Sequence, residues 1–315
     1  MLPLVSICIP NYNKAAFIGE TIDSVYKQSY ANIELIIIDD CSTDNSVEVI
    51  REKIMGAPFQ TTFLINKENK GICYSLNNAI KIAGGKYYQM VGSDDLILPD
   101  KITTQVEIFE RLPIDYAIVF GKSYRMDHLG NYLPVDYYES IDVDIASLET
   151  AGFEDLLLKN FISSSSHLVR TDAIKEVGLY DESLRAEDWD LWLRLSKLFK
   201  FLFIDEYNSI YRIVPSSLSN NSNNFASIYT AYCKTLLKHL NYSAKGNRNI
   251  AESIRLFSLM VYKYNGDDAK KMLKENLRLN RNFKSVVLLL AAQLGIKYSF
   301  YEKLKSGKRL LTNGK

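Results

Sequence analysis

Carboxylates gather at three places in the first two thirds of this chain: Asp39-Asp40, Asp94-Asp95, and Asp188 within Glu187-Asp188-Trp189-Asp190. Ser93-Asp94-Asp95 closes an apolar run. Carboxylates are hard oxygen donors, and Mg²⁺ or Mn²⁺ takes one or two of them together with phosphate oxygens and water. Two acidic strand ends side by side would repel a bare pyrophosphate, and a bridging divalent cation reverses that repulsion. The plain alternative is an acidic turn capping the helix that starts near Pro99. Asp188 adjoins a large apolar ring; desolvation there raises a carboxyl pKa and suits it to accept a proton. Acidic residues in a first helical turn are equally ordinary partners of the helix dipole. Successive strand residues face opposite ways, so at most one of Asp39 and Asp40 turns toward a pocket, unless both cap the helix after Cys41.

The elements that must position these residues alternate. Leu4 to Ile9 is a β-branched run ending at Pro10, and Asn13 is placed to cap a helix with Ile18, Ile22, Val25 and Tyr26 on one face. Ile33 to Ile38 reads as a second strand, with Ser42, Thr43 or Asp44 as the cap of a helix carrying Val47, Ile50 and Ile54. Thr61 to Ile65 is a third strand, Gly71 to Ala83 a helix stopped by Gly84-Gly85, and Tyr87 to Val91 a fourth strand running into Gly92-Ser93-Asp94-Asp95. This is the pattern of a parallel sheet with crossover helices, whose ligands bind at the carboxyl ends of the strands. From Pro99 to about Val214 the pattern loosens into α+β, with a strand at Tyr116 to Phe120 and a serine run at Ser163 to Ser166. Ser216 to Asn224 reads as a polar linker, and the remainder as helical and basic.

A net charge of +1 over 315 residues gives no footprint for nucleic acid. Cys8, Cys41, Cys73 and Cys233 have neither zinc nor disulfide spacing, which fits reduced thiols and a cytoplasmic setting, and Cys8 reads as a small buried side chain. No signal peptide is evident, and Ser285 to Ile296 is too short to span a bilayer. That apolar stretch, followed by Lys297, Lys303, Lys305, Lys308 and Arg309, does have the mixture for peripheral contact with an anionic membrane; a helix packed on the body is the alternative. Among 21 tyrosines only Tyr12 stands where a ligand would be met, and His128, His167 and His239 lack ligand spacing.

Taken in order, Val5 to Asn13 (VSICIPNYN), Glu34 to Asp44 (ELIIIDDCSTD), Asn69-Lys70-Gly71, Gly92 to Asp95 (GSDD) and Ala186 to Leu193 (AEDWDLWL) resemble the inverting glycosyltransferases of family 2. The resemblance covers about the first two thirds of the chain. It implies a GT-A fold, with a mostly parallel central sheet flanked by helices and a C-terminal helical extension. Residues 1–98 would be the nucleotide-sugar half, 99–215 the acceptor half and 216–315 the helical region.

The resemblance also implies roles. Pro10, Tyr12 and Asp40 match the uridine set, with Tyr12 against the base, Asn13 beside it, and Asp40 accepting from the uracil ring N–H. Lys70 and Gly71 match the loop near base and ribose, and Asp94 the ribose contact. Asp95 matches the ligand of Mn²⁺ or Mg²⁺ in the family's D-x-D-type motif, whose first Asp is Ser93 here. Asp188 matches the general base, and Arg212 a phosphate partner. Where many members carry a His two residues beyond that Arg, this chain has Val214. The implied reaction moves a sugar from a UDP-sugar to a saccharide acceptor, with inversion, in bacterial surface-polysaccharide assembly. The acceptor would ride on a polyprenyl-diphosphate lipid at the inner face of the cytoplasmic membrane. Two rivals share these features: a sugar nucleotidyltransferase, which would want a Gly-rich loop where Pro10-Asn11-Tyr12 stands, and a non-catalytic nucleotide-sugar-binding module.

Overall fold

Strands whose residues are apolar on both faces are stable only between two layers of helix. The first strands meet that condition: every residue of β1 (Val5–Asn11) and nearly every one of β2 (Ile33–Asp39) is buried. Our computed structural model describes residues 1–184, 187–217, 220–300 and 302–303. In chain order β1 leads through α1 (Ile18–Tyr26) to β2, then α2 (Ser46–Ile54), β3 (Gln60–Ile65), α3 (Ile72–Ile82) and β4 (Tyr87–Met90). Next come β5 (Leu96–Ile97), α4 (Lys101–Phe109), β6 (Tyr116–Asp127), α5 (Tyr137–Ser140), α6 (Phe153–Leu156), β7 (His167–Arg170), α7 (Thr171–Glu176), α8 (Glu187–Leu195) and β8 (Lys200–Ile213).

The eight strands form one sheet in the order β3-β2-β1-β4-β7-β6-β8-β5. The half from β3 to β4 is parallel; beyond it β7 runs antiparallel to both its neighbours, β6 and β8 are parallel, and β5 is antiparallel to β8. The core sits under the parallel half, where Ile7, Ile9, Leu35 and Ile37 meet Ile18, Ile22 and Val25 of α1. Cys8, between Ile7 and Ile9, is fully buried on the other face of β1, and all four cysteines are free. Gly85 is required by packing, since a Cβ on it would lie 2.5 Å from the backbone nitrogen of Ser6.

Register explains why the polar groups converge. Asn11 lies opposite Asp39 and Cys8 opposite Met90, so the residues just past β1, β2 and β4 emerge on one edge.

Three local expectations are corrected. Asn13 does not cap α1: the helix starts after Phe17, and Asn13 takes a left-handed backbone (φ 52°). The cap position of α2 is Asn45 with no side-chain cap bond, while Asp44 accepts the Ser46 N–H in a preceding turn. The strand at Tyr116 does not end at Phe120; it continues to Asp127 through irregularities around Gly121. Gly121 has no room for a Cβ, which would fall 2.6 Å from the Asn208 side chain of β8.

The chain divides into two compact units, 1–183 with 187–215, and 184–186 with 216–315. The second holds α9 (Phe225–Leu237), α10 (Ala244–Lys263), α11 (Ala269–Leu279) and α12 (Phe283–Gln293). Among the described residues no helix is long and apolar enough to cross a membrane. Lys305, Lys308 and Arg309, counted above with the basic tail, lie outside the described residues.

Candidate active site

Alternation along β2 sends its two terminal carboxylates apart. Asp39 is fully buried and accepts the Asn11 side-chain amide at 2.7 Å, the Ser42 hydroxyl at 2.6 Å and the Ser42 N–H at 2.8 Å. It is a brace between the two loops. Asp40 turns the other way and accepts from the Asn66 amide (2.8 Å), the Lys70 N–H (2.9 Å) and the Gly71 N–H (2.7 Å). A carboxylate has about four acceptor positions, so one remains for a ligand donor. Gly71, at φ 88°, supplies the left-handed turn that aims both amides at Asp40 and starts α3. The Lys70 ammonium points outward to Glu68 at 2.5 Å.

The turn after β1 is fastened to the turn after β2. Asn13 donates its N–H to Ser42 Oγ (2.9 Å) and accepts the Thr43 N–H (2.7 Å). The Lys14 N–H binds Ser46 Oγ (3.0 Å), and the Ala15 N–H binds Asp44 (2.9 Å). Two non-glycine residues with positive φ, Asn13 and Cys41, sit in this pair of turns, where backbone strain is held by the surrounding bonds. Pro10 is buried in β1, whereas Tyr12 is 45% exposed at the edge.

After β4 the Asp94-Asp95 pair is gripped from two elements, α1 and β8, and from two loops. Lys14 Nζ meets Asp94 at 2.6 Å. Asp95, only 3% exposed, accepts the Ser165 hydroxyl on Oδ2 (2.6 Å) and the Arg212 N–H on Oδ1 (2.9 Å), and its carbonyl takes the Thr21 hydroxyl (2.9 Å). Burial first, then the negative charge of Asp94, pushes the Asp95 carboxyl up to about 7. Gly92 matters here because a Cβ would stand 3.1 Å from Asp95 Oδ2. The donor set fits a hard divalent cation: one or two carboxylates, and a like-charge pair that a cation would relieve. Among the described residues no group of three His, Cys, Asp or Glu forms a closed cage, so phosphate oxygens and water would complete the coordination.

The Arg212 guanidinium is occupied within the protein. It donates to the Asp94 carbonyl (2.9 Å), pairs with Glu20 and lies 5.1 Å from the Phe17 ring centre. Val214 is buried and offers no donor or ligand.

Asp188 stands in the first turn of α8 and accepts from the neighbouring Trp189 N–H (2.6 Å) and from the Asn160 side chain. Burial pushes its carboxyl up to about 6 against those hydrogen bonds. Trp189 anchors the turn by donating its ring N–H to the Leu156 carbonyl at 2.7 Å. Asp190, two residues on, faces away and pairs with Arg194 at 2.8 Å. The Glu187 side chain lies outside the described residues, as does Ala186 of the AEDWDLWL stretch. The segment before α8 is pinned to α3, since the Asn77 side chain bonds to Tyr180 N–H and carbonyl and to Glu182.

The structure thus unites Tyr12, Asn13, Asp40, Lys70, Gly71, Asp94, Asp95 and Arg212 at one edge, and sets Asp188 on a separate helix. It adds residues that sequence reasoning missed. Lys14 adjoined a recognised stretch, and Ser165 sat in a serine run already noted. Glu20, Asn160 and Lys101 carried no signal. Lys101 of α4 is buried and donates to Gln89, to Gln105 (2.6 Å) and to the His167 carbonyl (2.8 Å), while Gln105 donates to the Ser166 carbonyl (2.8 Å). Desolvation holds its ammonium well below the usual lysine range, and the network braces the loop that presents Ser165.

A sheet of this order with an acidic carboxyl edge is the architecture of the GT-A glycosyltransferases. Solved structures share it: a mannosyltransferase, PcManGT, from Pyrobaculum calidifontis in complex with GDP-Man and Mn²⁺ (TM-score 0.64, 15% identity, 97% of this chain and 84% of that one), and S. aureus TarS 1–349 in complex with UDP (TM-score 0.61, 16% identity, 95% and 92%). The glycosyl transferase family 2 model matches residues 6–178, and the chain belongs to that family. An uncharacterized glycosyltransferase of Rickettsia typhi is 32% identical, over 76% of this chain and 73% of its own length. The putative teichuronic acid biosynthesis glycosyltransferase TuaG of Bacillus subtilis is 29% identical, over 70% and 82%. The protein is therefore a family 2 glycosyltransferase related to enzymes of polysaccharide biosynthesis.

Proposed function

We propose that this chain transfers a sugar from a UDP-sugar to a hydroxyl of a saccharide acceptor, inverting the anomeric configuration. The observation that carries the proposal is the convergence of Asp40, Asp94, Asp95 and Lys14 beside the exposed Tyr12 on one sheet edge. Tyr12 offers a face to a base and Asp40 an acceptor to a ring N–H. Asp94 would accept from the ribose, and Lys14 would face the diphosphate beyond it. Asp95, with Asp94 alongside, would hold Mn²⁺ or Mg²⁺, which neutralises charge on a departing nucleoside diphosphate. Asp188 takes the proton of the acceptor hydroxyl as its oxygen attacks the anomeric carbon. The bond from that carbon to the diphosphate breaks, and the electron pair leaves with the nucleotide. Arg212 reaches the diphosphate if it releases Glu20. TarS bound to UDP supports a uridine donor, PcManGT with Mn²⁺ supports the metal, and TuaG supports a polysaccharide product. The acceptor is read as lipid-borne at the inner face of the cytoplasmic membrane.

The test is release of UDP from a panel of UDP-sugars with Mn²⁺, with and without saccharide acceptors. Acceptor-dependent release supports transfer. UDP binding with no turnover on any donor would make the chain a binding module instead.

Base reading has its own test. Asp40→Ala should weaken UDP by about 5- to 150-fold, as removal of a buried acceptor costs roughly 1–3 kcal/mol. Its preference for UDP over GDP and CDP should fall with it. Because Asp40 also holds Lys70 and Gly71, the variant should melt earlier. Calorimetric titration with the three nucleotides reads this; an unchanged preference removes Asp40 from base recognition.

A further inference from the structure

A helix with apolar residues on opposite faces belongs in a core or against lipid, and α12, polar only at Lys284, Ser285 and Gln293, has apolar residues on two faces of which one is covered. Ser285, Leu288, Ala291 and Ala292 are buried, and the Asn276 amide of α11 bonds to Ser285 Oγ at 3.2 Å. On the opposite face Phe283 (84% exposed), Val286, Leu290 and Leu294 (76% exposed) recur at helical spacing as one apolar stripe. Beside the first turn of that stripe lies a groove of about 640 Å³, lined by Lys274, Arg278, Arg281, Phe283 and Val286 among others. Between Ala269 and Lys303 the sequence has eight Lys and Arg, opposed by Glu275 and Glu302 alone, and Glu275 is paired with Arg278 at 2.7 Å.

We infer that this face of the helical unit docks on an anionic lipid surface, the apolar stripe entering the acyl boundary and Lys274, Arg278, Arg281 and Lys284 meeting the headgroups. Charge chooses this occupant. A second copy would bring the same basic rim against itself, and residues 304–315, which carry Lys305, Lys308, Arg309 and Lys315 and no acid, would repel it likewise. The inference deepens the reading of a lipid-borne acceptor and rests on it: a transferase held at the membrane meets such an acceptor in two dimensions.

Flotation of the full chain with vesicles of phosphatidylcholine, with and without phosphatidylglycerol, tests it. Binding is expected on the anionic vesicles and should fall with added salt. Phe283→Ser with Leu290→Ser should cut partitioning at least about ten-fold. Lys274→Glu with Arg281→Glu should do so at least about ten-fold on anionic vesicles. Circular dichroism and calorimetric UDP affinity should not change in either variant, so a failure of lipid docking is kept apart from a failure of the donor site. Parent chain that ignores both vesicles, or an apolar variant that partitions like the parent, overturns the inference. So does a dimer in light scattering that the apolar variant abolishes while no vesicle is bound.

Discussion

Asp188→Asn should keep UDP affinity within a small factor and lower sugar transfer by about 10²–10⁴-fold, the usual worth of a positioned base. Asparagine has the shape of the carboxylate and can still meet the Trp189 N–H and Asn160, but it cannot take the acceptor proton. The pH profile gives a second readout. Burial pushes Asp188 up to about 6, and the base works as the carboxylate. Transfer should therefore rise with pH to a plateau above about 7, through an apparent pKa near 6, and the residual activity of the variant should lack that step. The same shift makes a stability statement with a definite sign. A raised folded-state pKa means that folding disfavours the charged form, a cost present above about 6 and absent below the ordinary value of 3.8. The Asn variant should melt at a higher temperature than the parent at neutral pH and at the same temperature near pH 3–4. Asp190→Asn is the contrast, because it breaks the pair with Arg194 and should lower stability without a selective loss of transfer. Normal transfer by Asp188→Asn would leave the single-displacement reading without its base.

Asp95→Ala should lose more than about 100-fold in Mn²⁺-dependent UDP affinity, beyond the 10–100-fold that follows loss of an outer-shell partner. Without Mn²⁺ Asp95→Ala should bind UDP at least as well as the parent, since the base and ribose contacts are untouched and one carboxylate that repels the diphosphate is gone. Calorimetry with and without the ion measures both arms. Removing Asp95 also frees the Ser165 hydroxyl and the Arg212 N–H, so the isosteric Asp95→Asn variant serves as the check on folding. Ser165→Ala, which takes away one bond to the same carboxylate, should fall between the two. Equal Mn²⁺-dependent affinity in parent and Asp95→Ala would remove the metal from this edge.

The parallel half of the fold was legible in the residues because β1 and β2 are nearly continuous apolar runs and the crossover helices have periodic faces. Pattern alone suffices where both faces are buried. The acidic strand ends were legible for the same reason, since strand order in a parallel sheet brings carboxyl ends together. The limits came where the deciding contact is remote in sequence. Asn13 looks like a cap, yet its side chain is claimed by Thr43, thirty positions on, which no local propensity reports. β7, β8 and β5 are short, antiparallel or bulged, and their pairing depends on partners placed first by the parallel half. Alternation along β2 said that Asp39 and Asp40 part ways; only packing decided that Asp39 goes to Asn11 and Asp40 to the Lys70-Gly71 turn. Arg212 offers the plainest case. Its sequence position made it a phosphate partner, and the tertiary structure turns its guanidinium onto Glu20 and Phe17 and lends Asp95 its backbone N–H. Residue types and spacing determine which chemistry is within reach of an edge, whereas which groups bond to each other there is set by distances between segments that meet only in the folded chain.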